Sequence, residues 1–256
     1  MIRLVNLHKS IQRQPILRGV DLTIEDGERL VVIGRSGGGK SVLLKHILGL
    51  MRPDSGEVWY DAINITNLDE PRLTPLRREM GMVFQNGALF DSMTVGENVA
   101  FSFTERQSHT QAEVVEKVAE ALAMVGLKGQ GHKMPSDLSG GMRKRAALAR
   151  AAITRPKVML YDEPTAGLDP VMSDSINKLI LRLSLEQKAT AIIVTHDMVS
   201  AFELADRIAF LHEGKIYSLM TPKELREATD PVIHNFINGI SEENGNAAVA
   251  NSSSSL

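Results

Sequence analysis

Eight consecutive residues, Gly34-Arg35-Ser36-Gly37-Gly38-Gly39-Lys40-Ser41, constrain this chain more than any other stretch. Before them, Leu30 to Ile33 is a short, β-branched apolar run bounded by glycine and reads as a buried strand. After them, Leu43, Leu44, Ile47 and Leu48 recur at helical spacing, with Gly49 near the helix end and Pro53 beyond it. A glycine-rich turn between a strand and a helix lets the backbone close around an anion without β-carbon clashes. Its exposed amides and the positive end of the helix then face the charge. In this spacing Lys40 is placed to reach β- and γ-phosphates, and the Ser41 hydroxyl to ligate Mg2+. The competing explanation is a glycine-rich turn without a ligand, and the strand and helix flanks argue against it.

Two further apolar runs end in polar side chains. Val158-Met159-Leu160-Tyr161 runs into Asp162 and Glu163. Successive strand residues point to opposite faces, so the two acids are expected to do different work. Asp162 suits Mg2+ coordination through water, which leaves Glu163 to orient and deprotonate an attacking water. Ala191-Ile192-Ile193-Val194-Thr195 runs into His196, placed for a contact to a γ-phosphate. Gln85, after Met82-Val83-Phe84, is the analogous candidate from a fourth segment.

Strand-like runs alternate with helical ones, which argues for a largely parallel sheet covered on both faces. Residues 87–157 read as a mostly helical insert. Within it Thr110 and Glu113 form a capping-box pattern, and Val115, Val118, Leu122 and Val125 repeat at helical spacing. Thr221-Pro222-Lys223-Glu224 caps another helix, and Asp230-Pro231 opens a short one expected to stop near Gly239. From Ser241 the chain turns to Glu, Asn, Ala and Ser, too polar to order itself, so 241–256 is expected to be disordered. A net charge of −2 gives no pull toward nucleic acid, and the absence of cysteine excludes thiol and disulfide chemistry. No apolar run approaches the roughly 20 residues needed to cross a bilayer, and the N-terminus lacks a signal-peptide pattern.

Leu138-Ser139-Gly140-Gly141-Met142 resembles the signature of the ABC-type ATPases, whose usual fifth residue is glutamine. The rest of that family's set follows in order: Gln85 matches the Q-loop, Gly167-Leu168-Asp169 the D-loop, and His196 the switch histidine. The resemblance spans residues 1–225 and implies an α/β P-loop fold: a RecA-like core, an antiparallel β-lobe and a helical subdomain at about 87–157. A C-terminal helical extension would occupy 226–240. It also implies ATP and Mg2+. Glu163, His196 and Gln85 would be catalytic, and Ser41, Gln85 and Asp162 would hold the metal. Nucleotide would lie against Ile11, Gly34, Arg35, Ser36, Gly37, Gly38, Gly39, Lys40, Ser41 and Val42. A second copy, arranged head to tail, would complete each site with Ser139, Gly140, Gly141 and Asp169.

Met142 with Arg143-Lys144-Arg145, the run from Phe84 to Asn98, and Phe236 to Ile240 look like the ATPases of MCE-associated, Mla-type phospholipid transporters. The implied partners are an integral membrane permease, an MCE-domain protein and a small accessory subunit. The implied place is the cytoplasmic face of a bacterial inner membrane. The alternatives are a small-molecule importer's ATPase and a soluble ABC protein acting on nucleic acid or ribosomes. Arg143 to Arg145 reads as a solvated basic face or as partners for nearby acids, and Met142 as a contact to nucleotide or partner. The family usually has an aromatic ring near position 11 to stack on adenine, and Ile11 stands there instead. An aliphatic contact forgoes a stacking gain of about 1 kcal/mol. Comparable KM values for GTP and ATP are therefore expected in steady-state hydrolysis, and a strong ATP preference would reject that weaker base selection.

Overall fold

The computed structural model describes residues 1–104 and 109–240, so the expectation for 241–256 lies outside the described residues. The chain opens as a hairpin, β1 (Ile2–Ile11) and β2 (Gln14–Ile24). Gln12 and Arg13 between them both sit at positive φ, the twist that a tight two-residue hairpin turn requires. β3 (Arg29–Ile33) leads through the glycine loop into α1 (Lys40–Ile47). β4 (Ser55–Tyr60), β5 (Ile63–Asn64) and α2 (Glu70–Arg77) precede β6 (Met80–Val83). Helices then take over: α3 (Val95–Thr104), α4 (Gln111–Met124) and α5 (Gly140–Ala152). Strands and helices alternate through β7 (Val158–Asp162), α6 (Pro170–Gln187), β8 (Thr190–Thr195), α7 (Met198–Leu204) and β9 (Arg207–His212). The described part closes with β10 (Lys215–Met220), α8 (Pro222–Glu227) and α9 (Pro231–Ile237).

These strands form two sheets. One is antiparallel, in the order β2-β1-β4-β5. The other runs β10-β9-β3-β8-β7-β6, parallel throughout except for the β9–β10 hairpin. The interior strands are apolar at nearly every position because both faces are covered. Val31, Ile33, Met159, Tyr161 and Ile193 face one core, shared with α5 and α6. Their alternating neighbours Leu30, Val32, Leu160, Ile192 and Val194 face a second, shared with α1 and the antiparallel lobe.

Helix ends follow the sequence closely. Thr110 and Glu113 form a reciprocal capping box, as do Thr221 and Glu224. Asp230 caps α9, whose Phe236 ring lies 4.6 Å from that of Phe210 on β9. Leu122 and Val125 on α4 are buried as periodicity predicts, but Val115 is 59% exposed. Periodicity fixes the face of a helix and not how far its neighbours extend along it. Leu160 is fully buried at the middle of β7. Leu160→Ala is expected to lower the unfolding free energy by about 2–5 kcal/mol. Urea denaturation would show this as a reduced midpoint with an unchanged slope.

Candidate active site

The candidate residues gather at the C-terminal ends of parallel strands, the edge where open α/β sheets bind ligands. Gly34 follows β3, Gln85 lies just past β6, Glu163 follows β7 and His196 follows β8. The loop between β3 and α1 needs its glycines. A β-carbon at Gly34 would stand 2.5 Å from the Leu211 carbonyl oxygen on the adjacent strand. Gly39 begins α1 at φ 102° against Ile16 and Leu17, and no side chain caps the helix there. The first-turn amides of α1 are thus left for a ligand's oxygens.

Lys40 is only 6% exposed. Its Nζ donates to the carbonyls of Gly34 at 2.8 Å and Arg35 at 3.2 Å, and lies 3.6 Å from Glu163 Oε1. Burial pushes its pKa down, while Glu163 and Asp162 oppose that shift. Ser41 Oγ donates to Asp162 Oδ1 at 2.8 Å. His196 Nδ1 lies 2.9 Å from Glu163 Oε2; with the carboxylate accepting, Nδ1 carries the proton. A cleft of about 310 Å3 gathers Ser36, Gly37, Gly39, Lys40, Ser41 and Val42 with Gln85, Glu163 and His196. Asp162 joins it through Ser41, while Gly34, Arg35 and Gly38 shape the loop's backbone, with Gly38 N–H donating to the Arg35 carbonyl at 3.0 Å.

The two acids differ for a reason other than strand alternation. β7 stops at Asp162, and Glu163 is left-handed, with φ 48°. That departure from extended geometry turns the chain, so both carboxylates serve one cleft: Asp162 through Ser41, Glu163 through Lys40 and His196. A non-glycine residue held there costs about 1–3 kcal/mol unless its surroundings fix it. Here the Glu163 N–H donates to Val194 O at 2.9 Å, and its carbonyl accepts from Ala166 N at 3.1 Å and Lys144 Nζ at 3.4 Å.

The remaining candidates stand elsewhere. Ile11 ends β1 opposite Gln14 and does not line the cleft. Nor do Ser139, Gly140, Gly141 or Asp169. Ser139 caps α5 by accepting from Met142 N, and Asp169 caps α6 by accepting from Met172 N at 3.0 Å. The Met172 methyl packs over Gly141, so these two helix starts sit side by side.

On α5, Met142 is half-buried, packed against the larger core with part of its side chain exposed. The basic run is not one solvated face: Arg143 is exposed, Arg145 half-buried and Lys144 buried, and the donors that are engaged go mainly to backbone carbonyls. Arg143 reaches Leu138 O, Arg145 reaches Val125 O and the Ser175 hydroxyl, and Lys144 reaches the carbonyls of Gln85 and Glu163. Arg150 donates to Gly87 O at 2.8 Å and Ala88 O at 2.6 Å. The signal was in the sequence: Gly141, Lys144, Leu148 and Ala151 share one buried helical stripe.

A glycine loop with a buried lysine, a hydroxyl paired to an aspartate at a strand end, and a neighbouring glutamate define a P-loop nucleoside-triphosphate hydrolase. The sequence profile described as ABC transporter matches residues 17–166, and the chain belongs to that family of ATPases. The chloroplastic protein Trigalactosyldiacylglycerol 3 of Arabidopsis thaliana is 40% identical, over 93% of this chain and 74% of its own length. A probable ribonucleotide transport ATP-binding protein, mkl, of Mycobacterium tuberculosis is 38% identical over 97% of this chain and 71% of its own. Other relatives carry the names of sulfate/thiosulfate and methionine import ATP-binding proteins. Among solved structures, the ATP-binding cassette MJ0796 bound to ADP and Pi superposes with a TM-score of 0.80 at 34% identity, over 87% of this chain and 99% of that one. The chain is thus an ATP-binding subunit of a transporter. Glu163→Gln is expected to reduce kcat by about 10²–10⁴-fold while ATP affinity stays within a few-fold. Phosphate release and nucleotide titration measure the two, and a wild-type rate in this variant would take water activation away from Glu163.

Proposed function

We propose that this chain powers phospholipid transport between bacterial membranes, hydrolysing ATP on the cytoplasmic face of an inner membrane and driving a separate permease. The observation that carries its hydrolytic part is Glu163, held between Lys40 and His196 at the mouth of the glycine loop. In this reading the α1 amides and Lys40 bind the β- and γ-phosphates, and His196 orients the Glu163 carboxylate toward the attacking water. The Ser41 hydroxyl and Asp162 carboxylate, with the Gln85 side chain on the same cleft, form the hard oxygen set that suits Mg2+. Bound there, the ion would neutralise charge on the β- and γ-phosphate oxygens.

Ser139 and Asp169 are exposed and stand apart from their own chain's cleft, which supports their use by a second copy placed head to tail. Val171 and Val199, beside Asp169 and His196, are 77% and 74% exposed, as expected of apolar residues that a partner covers. No described helix is long and apolar enough to cross a membrane, and in this reading a separate permease supplies the passage. The surface around and after Gln85 suits it: Phe84, just before it, and Phe90 and Phe101 beyond it are all exposed, and the Phe90 and Phe101 rings lie 5.1 Å apart. Asn98, fully buried, ties that segment together by donating to the carbonyls of Phe90, Met93 and Thr94.

The lipid cargo is supported by the name of the Arabidopsis relative and by the Mla-type features around Met142 and Phe84–Asn98. The import names among other relatives favour the second reading, a small-molecule importer. A nucleic-acid role gains little from Arg143 to Arg145, since Lys144 is buried and Arg145 donates to Val125 O and the Ser175 hydroxyl. Purification of the native complex in mild detergent should yield a permease, an MCE-domain protein, a small accessory subunit and bound phospholipid, identified by mass spectrometry. A permease accompanied by a periplasmic solute-binding protein would replace the lipid reading with the importer.

A further inference from the structure

Lys144 is a buried cation that ATP binding and hydrolysis, as described so far, leave without a role. It is 7% exposed on α5, one turn beyond the Ser139 cap. Its ammonium donates to the Gln85 carbonyl and, at 3.4 Å, to that of Glu163. Three segments therefore meet at one nitrogen: the helix that Ser139 caps, the turn after β6, and the left-handed residue after β7. The turn after β6 has a second anchor, since Arg150 holds the Gly87 and Ala88 carbonyls. Arg150 does not reach Glu163. Among the described residues, Lys144 is the side chain that donates to both Gln85 and Glu163, which follow different strands.

A buried ammonium is held firmly by its acceptors, because leaving a carbonyl and the charge unpaired at low dielectric is costly. Glu163 depends on such a hold. Its φ of 48° is unfavourable for a residue with a β-carbon, and a hydrogen bond to its carbonyl helps hold that backbone in place. We infer that Lys144 is a positioning residue for hydrolysis, fixing the backbones of Gln85 and Glu163 to each other and to the helix bearing Ser139. The inference rests on Glu163 as the residue that activates water. Lys144 does not line the cleft; it acts through Glu163 and Gln85, so its loss displaces the base without removing a group from the phosphate cradle. Displacements of about 1 Å at a reacting group cost about 10²-fold.

A mutant cycle on the full-length protein tests this, with single-turnover ATP hydrolysis and ATP binding as readouts. Lys144→Met should lower the hydrolysis rate by about 10–100-fold while the Kd for ATP stays within about threefold. Lys144→Arg, which keeps a cationic donor, should recover most of the rate. In the Glu163→Gln background, Lys144→Met should cost less than about threefold more, since residues acting on one step are not additive. Multiplicative losses in the double variant, or a Lys144→Arg as impaired as Lys144→Met, would overturn the positioning role. A wild-type rate in Lys144→Met beside an inactive Glu163→Gln would overturn the inference alone. A wild-type rate in Glu163→Gln would remove it together with the reading it rests on. Should Lys144→Met not fold, Lys144→Gln takes its place in the same cycle with the same outcomes.

Discussion

The site is built around a positive charge taken out of water. Desolvating the Lys40 ammonium is costly, and only well-placed acceptors offset it. The carbonyls of Gly34 and Arg35 supply two, which requires the loop to curl back over the lysine, and the Glu163 carboxylate supplies the counter-charge. Glu163 can stand there only because β7 lies one strand away from β3 across β8, all three running in the same direction. His196, at the end of that intervening strand, then falls beside the same carboxylate. Sheet order, strand direction and loop conformation are tied together by this one buried ion.

Much of this was legible beforehand because the signals were local. The glycine loop, its strand and its helix lie within a short run of sequence, and the caps at Thr110, Thr221 and Asp230 need only the neighbouring residues. What escaped depends on distant contacts. Nothing near Glu163 announces a left-handed residue; that conformation is fixed by Val194 on β8 and Lys144 on α5. The basic run on α5 is the sharpest case. Charge suggested a solvated face, whereas the buried stripe through Gly141 and Leu148 carries Lys144 inward to carbonyls supplied by two other segments.

The arrangement also separates two kinds of group. Ser139 and Asp169 stand at the starts of adjacent helices, joined by the contact between Gly141 and Met172, and are exposed outside the cleft their own chain forms. The cleft's own members hang from strand ends that the two cores grip from opposite faces. One set is therefore placed to be offered outward and the other to be held still.

The turn from Gln85 to Ala88 is fastened by its carbonyl oxygens, not by its side chains. Every amino acid carries a carbonyl, so the fastening itself selects no side chain, although Gly87 and Ala88 must hold positive φ. The side chain of Asn86 can change to match a different neighbour without loosening the joint that links the turn to α5. A segment attached in this way keeps its mechanical role while its outward chemistry diversifies, which suits a common motor fitted to many transporters.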